Sequence, residues 1–143
     1  MKKTLFFLTC LSLFILLTGC SSPPTLTVTA DKKKIDTVTG SYCWSSLFSE
    51  KCVDTIEPSE LLKKKKNDPV GLHKATTLNF KFEEEPQTVE VRIEQSNASS
   101  TSASVKLEDN QLTLPQENGT YLYIVFSKHA KGTVTHLFTI NVE

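Results

Sequence analysis

The chain of 143 residues has little of what most enzymes and metal proteins advertise. It has five glycines, and none is set in a phosphate-cradling loop. There is no Gly-x-Ser-x-Gly elbow, no Ser-x-x-Lys and no His-Glu-x-x-His, so the common hydrolase and zinc-protease signatures are missing. The only methionine is Met1, and no Cys-x-x-His run occurs, which excludes the usual blue-copper ligand set. Net charge is formally zero, with 16 basic and 16 acidic residues, so no basic excess invites a nucleic-acid partner. Nothing in the sequence requires a cofactor. No apolar run is long enough to span a bilayer, since the stretch from Leu5 to Leu17 falls short of the roughly 20 residues required.

That short run lies behind Met1-Lys2-Lys3 and exits through Leu17-Thr18-Gly19-Cys20, the layout of a cleaved export signal. The tetrapeptide resembles the lipobox of bacterial lipoproteins. The resemblance implies that Cys20 receives diacylglycerol and, after cleavage, a further acyl chain such as palmitate on the new amino group. Each buried methylene contributes about 0.8 kcal/mol, so two or three chains hold a protein stably where one would not. The reading therefore divides the chain into a signal over residues 1–19, a lipid-attachment cysteine and spacer over 20–25, and one domain over 26–143. An ordinary secretory signal with a chance cysteine is the competing account. Losing Lys2 and Lys3 leaves 14 basic residues against 16 acidic ones, a nearly neutral exported domain with room for a single core. The expected location is the extracytoplasmic face of the cell membrane. Ser21 would direct a Gram-negative lipoprotein to the outer membrane.

Four cysteines are present, and Cys10 and Cys20 are accounted for by signal and lipid. Cys43 and Cys52 remain, and outside the cytoplasm a disulfide is the expected state, with roughly 2.5 to 3 kcal/mol credited to so short a loop by chain entropy. A reactive thiol or a metal site is the alternative, without the spacing that would make either specific.

Ser21 to Thr25, with Pro23-Pro24, reads as a stiff spacer. Leu26, Val28 and Ala30 alternate with threonines as a half-buried strand does. Lys32 to Lys34 reads as a charged turn, Ile35 to Thr39 as a short strand, and Gly40 as the start of the cysteine loop. Pro58-Ser59-Glu60, then Leu61-Leu62 and four lysines, is a helix with acid at its start and bases at its end. Leu78, Phe80 and Phe82 share one face, as do Val89, Val91 and Ile93, which predicts a hairpin across Glu83 to Pro86. Asn97 to Ser102 is a polar loop. Val105 and Leu107 face Leu112 and Leu114 across a tight turn at Asp109-Asn110. Tyr121 to Phe126 is apolar throughout and reads as a central strand covered on both sides, followed by a turn at Lys128 to Gly132 and a last strand from Thr133 to Val142.

Many short strands and one helix predict an all-β, antiparallel sandwich. Gly119-Thr120-Tyr121-Leu122-Tyr123 resembles the tyrosine corner at the start of an immunoglobulin strand, with Tyr123 where an antibody domain has its second cysteine. The resemblance implies an immunoglobulin-like sandwich without the inter-sheet disulfide. Together with the lipobox, Ser41-Tyr42-Cys43-Trp44, Cys52-Val53-Asp54, Pro58-x-x-Leu61-Leu62 and Gly-x-Tyr-x-Tyr, the chain resembles small lipoproteins of Bacillus and its relatives. That likeness implies a Gram-positive envelope setting and transfers no catalytic residues.

Within the cysteine ring, Trp44, Leu47 and Phe48 cannot all be buried internally. Either they form a preorganised apolar loop that docks on a partner, or Trp44 covers the disulfide and Phe48 seals the end of the sandwich. Lys63, Lys64, Lys65 and Lys66 either meet anionic head groups or a wall polymer, or form a solvated helix end. His129 and His136 flank the last turn and could hold zinc between strands, with exposed histidines as the plainer expectation. Asp54 and Glu57 could pair as acid and base, or Glu57 could serve the helix start. The sequons at Asn97 and Asn118 read as turn residues. The expectation is a non-catalytic binding module, held to the membrane by its anchor and meeting an envelope protein or wall polymer. The alternatives are an inhibitor or immunity-type protein against an extracellular hydrolase, and an enzyme or metal protein built from distant residues.

Overall fold

The structure, a computed structural model, describes residues 22–96 and 102–143. The signal, Cys20, and most of the polar loop with the Asn97 sequon lie outside the described residues. Strands and helix, in chain order, are β1 (Leu26–Ala30), β2 (Lys33–Ile35), β3 (Val38–Ser45), β4 (Glu50–Val53), α1 (Pro58–Lys64), β5 (Val70–Leu72), β6 (Thr77–Phe82), β7 (Thr88–Gln95), β8 (Ser102–Val105), β9 (Gln111–Thr113), β10 (Gly119–His129) and β11 (Gly132–Val142). They form two sheets. A 4-stranded sheet runs β2-β1-β6-β9, and a 7-stranded sheet runs β4-β3-β11-β10-β7-β8 with β5 added in parallel beside β11. Among the described residues all other strand pairs are antiparallel, and the protein is an all-β sandwich of immunoglobulin-like class with one short helix.

Alternation of apolar residues decides which faces meet. Leu26, Val28 and Ala30 of β1, and Leu78, Phe80 and Phe82 of β6, turn inward against Val91, Tyr121, Tyr123, Val125, Phe138 and Ile140 of the large sheet. The tyrosine corner is present, with the Tyr121 hydroxyl donating to the Glu117 carbonyl at 3.1 Å. Tyr123 lies fully buried and stacks on Phe138, its cross-strand neighbour within the large sheet, with ring centroids 4.9 Å apart.

β10 is central, as its unbroken apolar run predicts, because both faces are covered. Tyr121, Tyr123 and Val125 enter the main core, while Leu122 and Ile124 face outward and are capped by Leu61 and Leu62 of α1, with Leu137 and Val38 beside them. The helix forms where proline and a carboxylate cap favour it. Pro58 opens it, the Glu57 side chain accepts from the Glu60 backbone N–H, and Lys63 and Lys64 occupy its last turn. Burying the two leucines contributes roughly 1.5–3 kcal/mol each.

The structure corrects several local expectations. β6 and β7 are not a hairpin: β6 pairs with β1 and β9, whereas β7 pairs with β10 and β8. Glu83 to Gln87 instead carries the chain from one sheet to the other. The Asp109-Asn110 turn is present, with positive φ at both residues, but it joins strands of different sheets through the isolated bridge Glu108↔Gln111. Two strands with apolar faces satisfy the same core equally well side by side or across from one another, so alternation could not separate the cases. The first charged turn is Asp31-Lys32, and Lys33 and Lys34 belong to β2. β3 begins at Val38, so Ile35 to Thr39 is not one strand, and it runs through Gly40 with a register shift opposite Val134 and His136.

Candidate functional site

The most distinctive surface is the β3–β4 hairpin. Cys43 and Cys52 are directly opposed in its register and joined by a disulfide, with Cα atoms 4.0 Å apart. The bond is therefore a rung across two strands, not the clasp of an irregular loop. Above it, Trp44 opposes Lys51 and Ser45 opposes Glu50. The turn Ser46 to Ser49 is closed by its own hydroxyls. Ser46 N donates to the Ser49 carbonyl at 2.7 Å, the Ser46 hydroxyl to the same oxygen at 2.9 Å, and Ser49 N to the Ser46 hydroxyl at 3.2 Å.

These bonds leave Leu47 and Phe48 at the apex, and they are 82% and 98% exposed. Trp44 is 3% exposed. It opposes Gly132 on the inward face of the large sheet, with its ring edge-on to His129 at 5.6 Å between centroids. Cys43 precedes Trp44 on the same strand and so points to the opposite face. Trp44 consequently does not cover the disulfide, and Phe48 does not seal the sandwich. The three apolar residues of the ring divide into one core residue and two exposed ones.

The close approach of β3 to β11 depends on Gly132. Its φ is +153°, and a Cβ there would overlap the Cys43 carbonyl oxygen.

His129 and His136 are buried, contrary to the exposed placement expected for them. Ser127 donates its hydroxyl proton to the Val134 carbonyl at 3.2 Å, so the 3.1 Å contact from His129 Nε2 is a donation to that hydroxyl. Among the described residues this leaves His129 Nδ1 without a proton or a hydrogen-bond partner, and the His136 ring, beside the Pro24 carbonyl, makes no hydrogen bond of ordinary geometry. Burial lowers the His129 pKa, opposed by Glu84 and Glu85, and pushes His136 down to about 4. Both rings are neutral at ordinary pH. Among the described residues no group of three His, Cys, Asp or Glu is placed to hold a metal.

Glu57 is the helix cap, and hydrogen bonding to Ser59 holds its carboxyl below the usual range. It is committed to the helix start, and Asp54 is exposed. Lys63, Lys64, Lys65 and Lys66 are all exposed at the end of α1. They are not brought to the hairpin apex: the helix rests on Leu137, whereas the apex extends beyond the Gly132 end of β11.

A further feature was not found in the sequence. A cleft of about 590 Å³ opens on the outer face of the large sheet beyond the helix, lined by Thr88, Glu90, Lys106, Phe126, Thr133 and Thr135 among others. Arg92 lies 5.1 Å from the Phe126 ring centre. The available signal was the alternation of Thr133 and Thr135 with Val134 and His136 in an otherwise apolar strand.

No family model matches the chain, and no curated protein or solved structure does so either. Among the described residues no helix is long and apolar enough to cross a membrane.

Proposed function

We propose that this protein is a lipid-anchored module of the bacterial cell envelope, of the kind found among small Bacillus-type lipoproteins. Cys20 holds it to the extracytoplasmic face of the membrane, and it acts by binding and not by catalysis. The observation that carries the reading is the apex of the stapled hairpin, where Leu47 and Phe48 stand in water on a turn closed by Ser46 and Ser49. A covalently braced turn has little conformational freedom left to lose on contact, so a small apolar surface there is effective. The same apex suits the alternative of an inhibitor that plugs an extracellular hydrolase, whose mark would be stoichiometric loss of that enzyme's activity.

The test is in-cell crosslinking of the full-length lipoprotein beside a Leu47→Ser/Phe48→Ser version, with crosslinked lipid and protein both identified by mass spectrometry. Trp44 is left intact because it belongs to the core. Crosslinks that disappear in the double variant, with circular dichroism unchanged, support the reading. Identical crosslinks from both versions refute it.

A further inference from the structure

The hairpin apex, the incoming chain and two other connections occupy one end of the sandwich. Leu26 pairs with Phe82, and just before it the Thr25 N–H and hydroxyl both donate to Glu83 Oε2 at 2.8 Å. Glu83 begins the crossing to the large sheet, and Gln87 N donates to the Lys128 carbonyl at 2.7 Å, which brings that crossing to the β10–β11 turn. Ser45 N donates to the Lys131 carbonyl at 2.8 Å, which ties the β3–β4 hairpin to the same turn. The opposite end holds Asp31-Lys32, the start of β10 and the end of β11.

We propose that the apex of the β3–β4 hairpin inserts Leu47 and Phe48 into the lipid interface of the bilayer that carries the protein's own anchor. The inference rests on the reading that Cys20 is acylated. Pro24 is buried at this end of the domain, and Cys20 precedes it by four residues. Four residues reach at most about 14 Å. The end that bears Leu47 and Phe48 is therefore the end nearest the anchor.

The chemistry of the apex fits a lipid interface better than a protein. Two apolar side chains lead, serine hydroxyls stand immediately behind, and Lys51 and Lys131 border the turn, with Glu50 the one acid of the hairpin arms and Glu83, Glu84 and Glu85 on the neighbouring crossing between the sheets. Leu and Phe entering the boundary region, with lysines at head-group depth, is the arrangement of interfacial membrane contacts. A stable protein interface takes about 800 Å² from each partner, far more than two side chains supply. Insertion has no such requirement, because the tether makes it intramolecular and a weak contact then becomes an occupied one. Two points of attachment, one acyl and one apolar, fix the domain's orientation and present the far end and the outer-face cleft to the envelope.

The full-length acylated lipoprotein, reconstituted in vesicles of phosphatidylethanolamine and phosphatidylglycerol, tests this with a Phe48→Trp variant and lipids brominated on their acyl chains. Trp44 is the only native tryptophan and, being buried, serves as the internal reference. The added indole is expected to emit at shorter wavelength on reconstitution and to lose most of its emission to brominated lipid, while the parent's emission stays unchanged. If the added indole remains unquenched and water-like although mass spectrometry finds acyl chains on Cys20, insertion is wrong and the anchoring stands. If the unquenched variant also crosslinks to a protein through its apex, the occupant is that protein and the lipid assignment is overturned. A Cys20 peptide without acyl chains removes both readings.

Discussion

Trp44 and Phe48 lie four positions apart in one hairpin, yet the first is 3% exposed and the second 98%. Both are large aromatics inside the same disulfide ring. What separates them is register. Trp44 opposes Gly132, the one residue that lets β3 approach closely enough for an indole to reach the inner face beside His129. Phe48 lies past the last rung of the ladder, where no neighbouring strand among the described residues covers it. The base of the hairpin is thus part of the fold and its apex is free for contact, although composition treats the two alike.

Substitutions can break that contrast. Trp44→Ala should cost about 3–5 kcal/mol, because it empties an inner-face site that few neighbours can refill; urea unfolding of the purified lipoprotein measures it, and a loss under 1 kcal/mol would show the indole is not structural. Acid should act through the histidines on the same face. Burial holds His136 at about 4 and lowers His129, so the unfolded chain takes up protons that the folded one refuses. Stability should be full above about pH 6.5 and fall as pH drops toward 4, by on the order of 3 kcal/mol for His136. His136→Leu should flatten that slope, and an unchanged slope would place the acid sensitivity elsewhere.

Paired Cys43→Ser/Cys52→Ser changes should cost roughly 2.5 kcal/mol through the unfolded chain's regained freedom, without altering the Trp44 environment. Near-ultraviolet circular dichroism would reveal whether the rung also shapes the core. The smallest effect belongs to the apex: Leu47→Ser/Phe48→Ser should leave stability within about 0.5 kcal/mol. A larger loss would mean that the apex packs on the domain and is not a free contact.

Much of the sandwich was legible because its strands obey strict alternation. β1, β6 and β11 announce their inner faces, the run from Tyr121 to Phe126 announces a covered central strand, and Pro58 with Glu60 and the lysines announces the helix. The tyrosine corner was legible as a local motif whose hydroxyl bond spans only four residues. Pairing partners were not legible. The crossing between β6 and β7 looks like a hairpin because both strands bury one face, and the side of the core each occupies depends on β1, β9 and β10. The histidines failed for a related reason. Period two already sets His136 on the face of Val134 and Phe138, but the adjacent Leu137 and Phe138 are both apolar, and only the pairing with Val125 shows that the histidine's face is the inner one.

Sequence by itself determined the periods, the turn with positive φ at Asp109 and Asn110, the helix and its cap, and the pair of cysteines free to bond. These are local matters, set by side-chain spacing and by backbone sterics over a few residues. Tertiary structure alone decided which strands share a sheet, that Trp44 is core while Leu47 and Phe48 are not, and that the apex lies at the end where the chain enters. Those outcomes depend on contacts between residues far apart in the chain, where burial is shared among strands and no single segment carries the information.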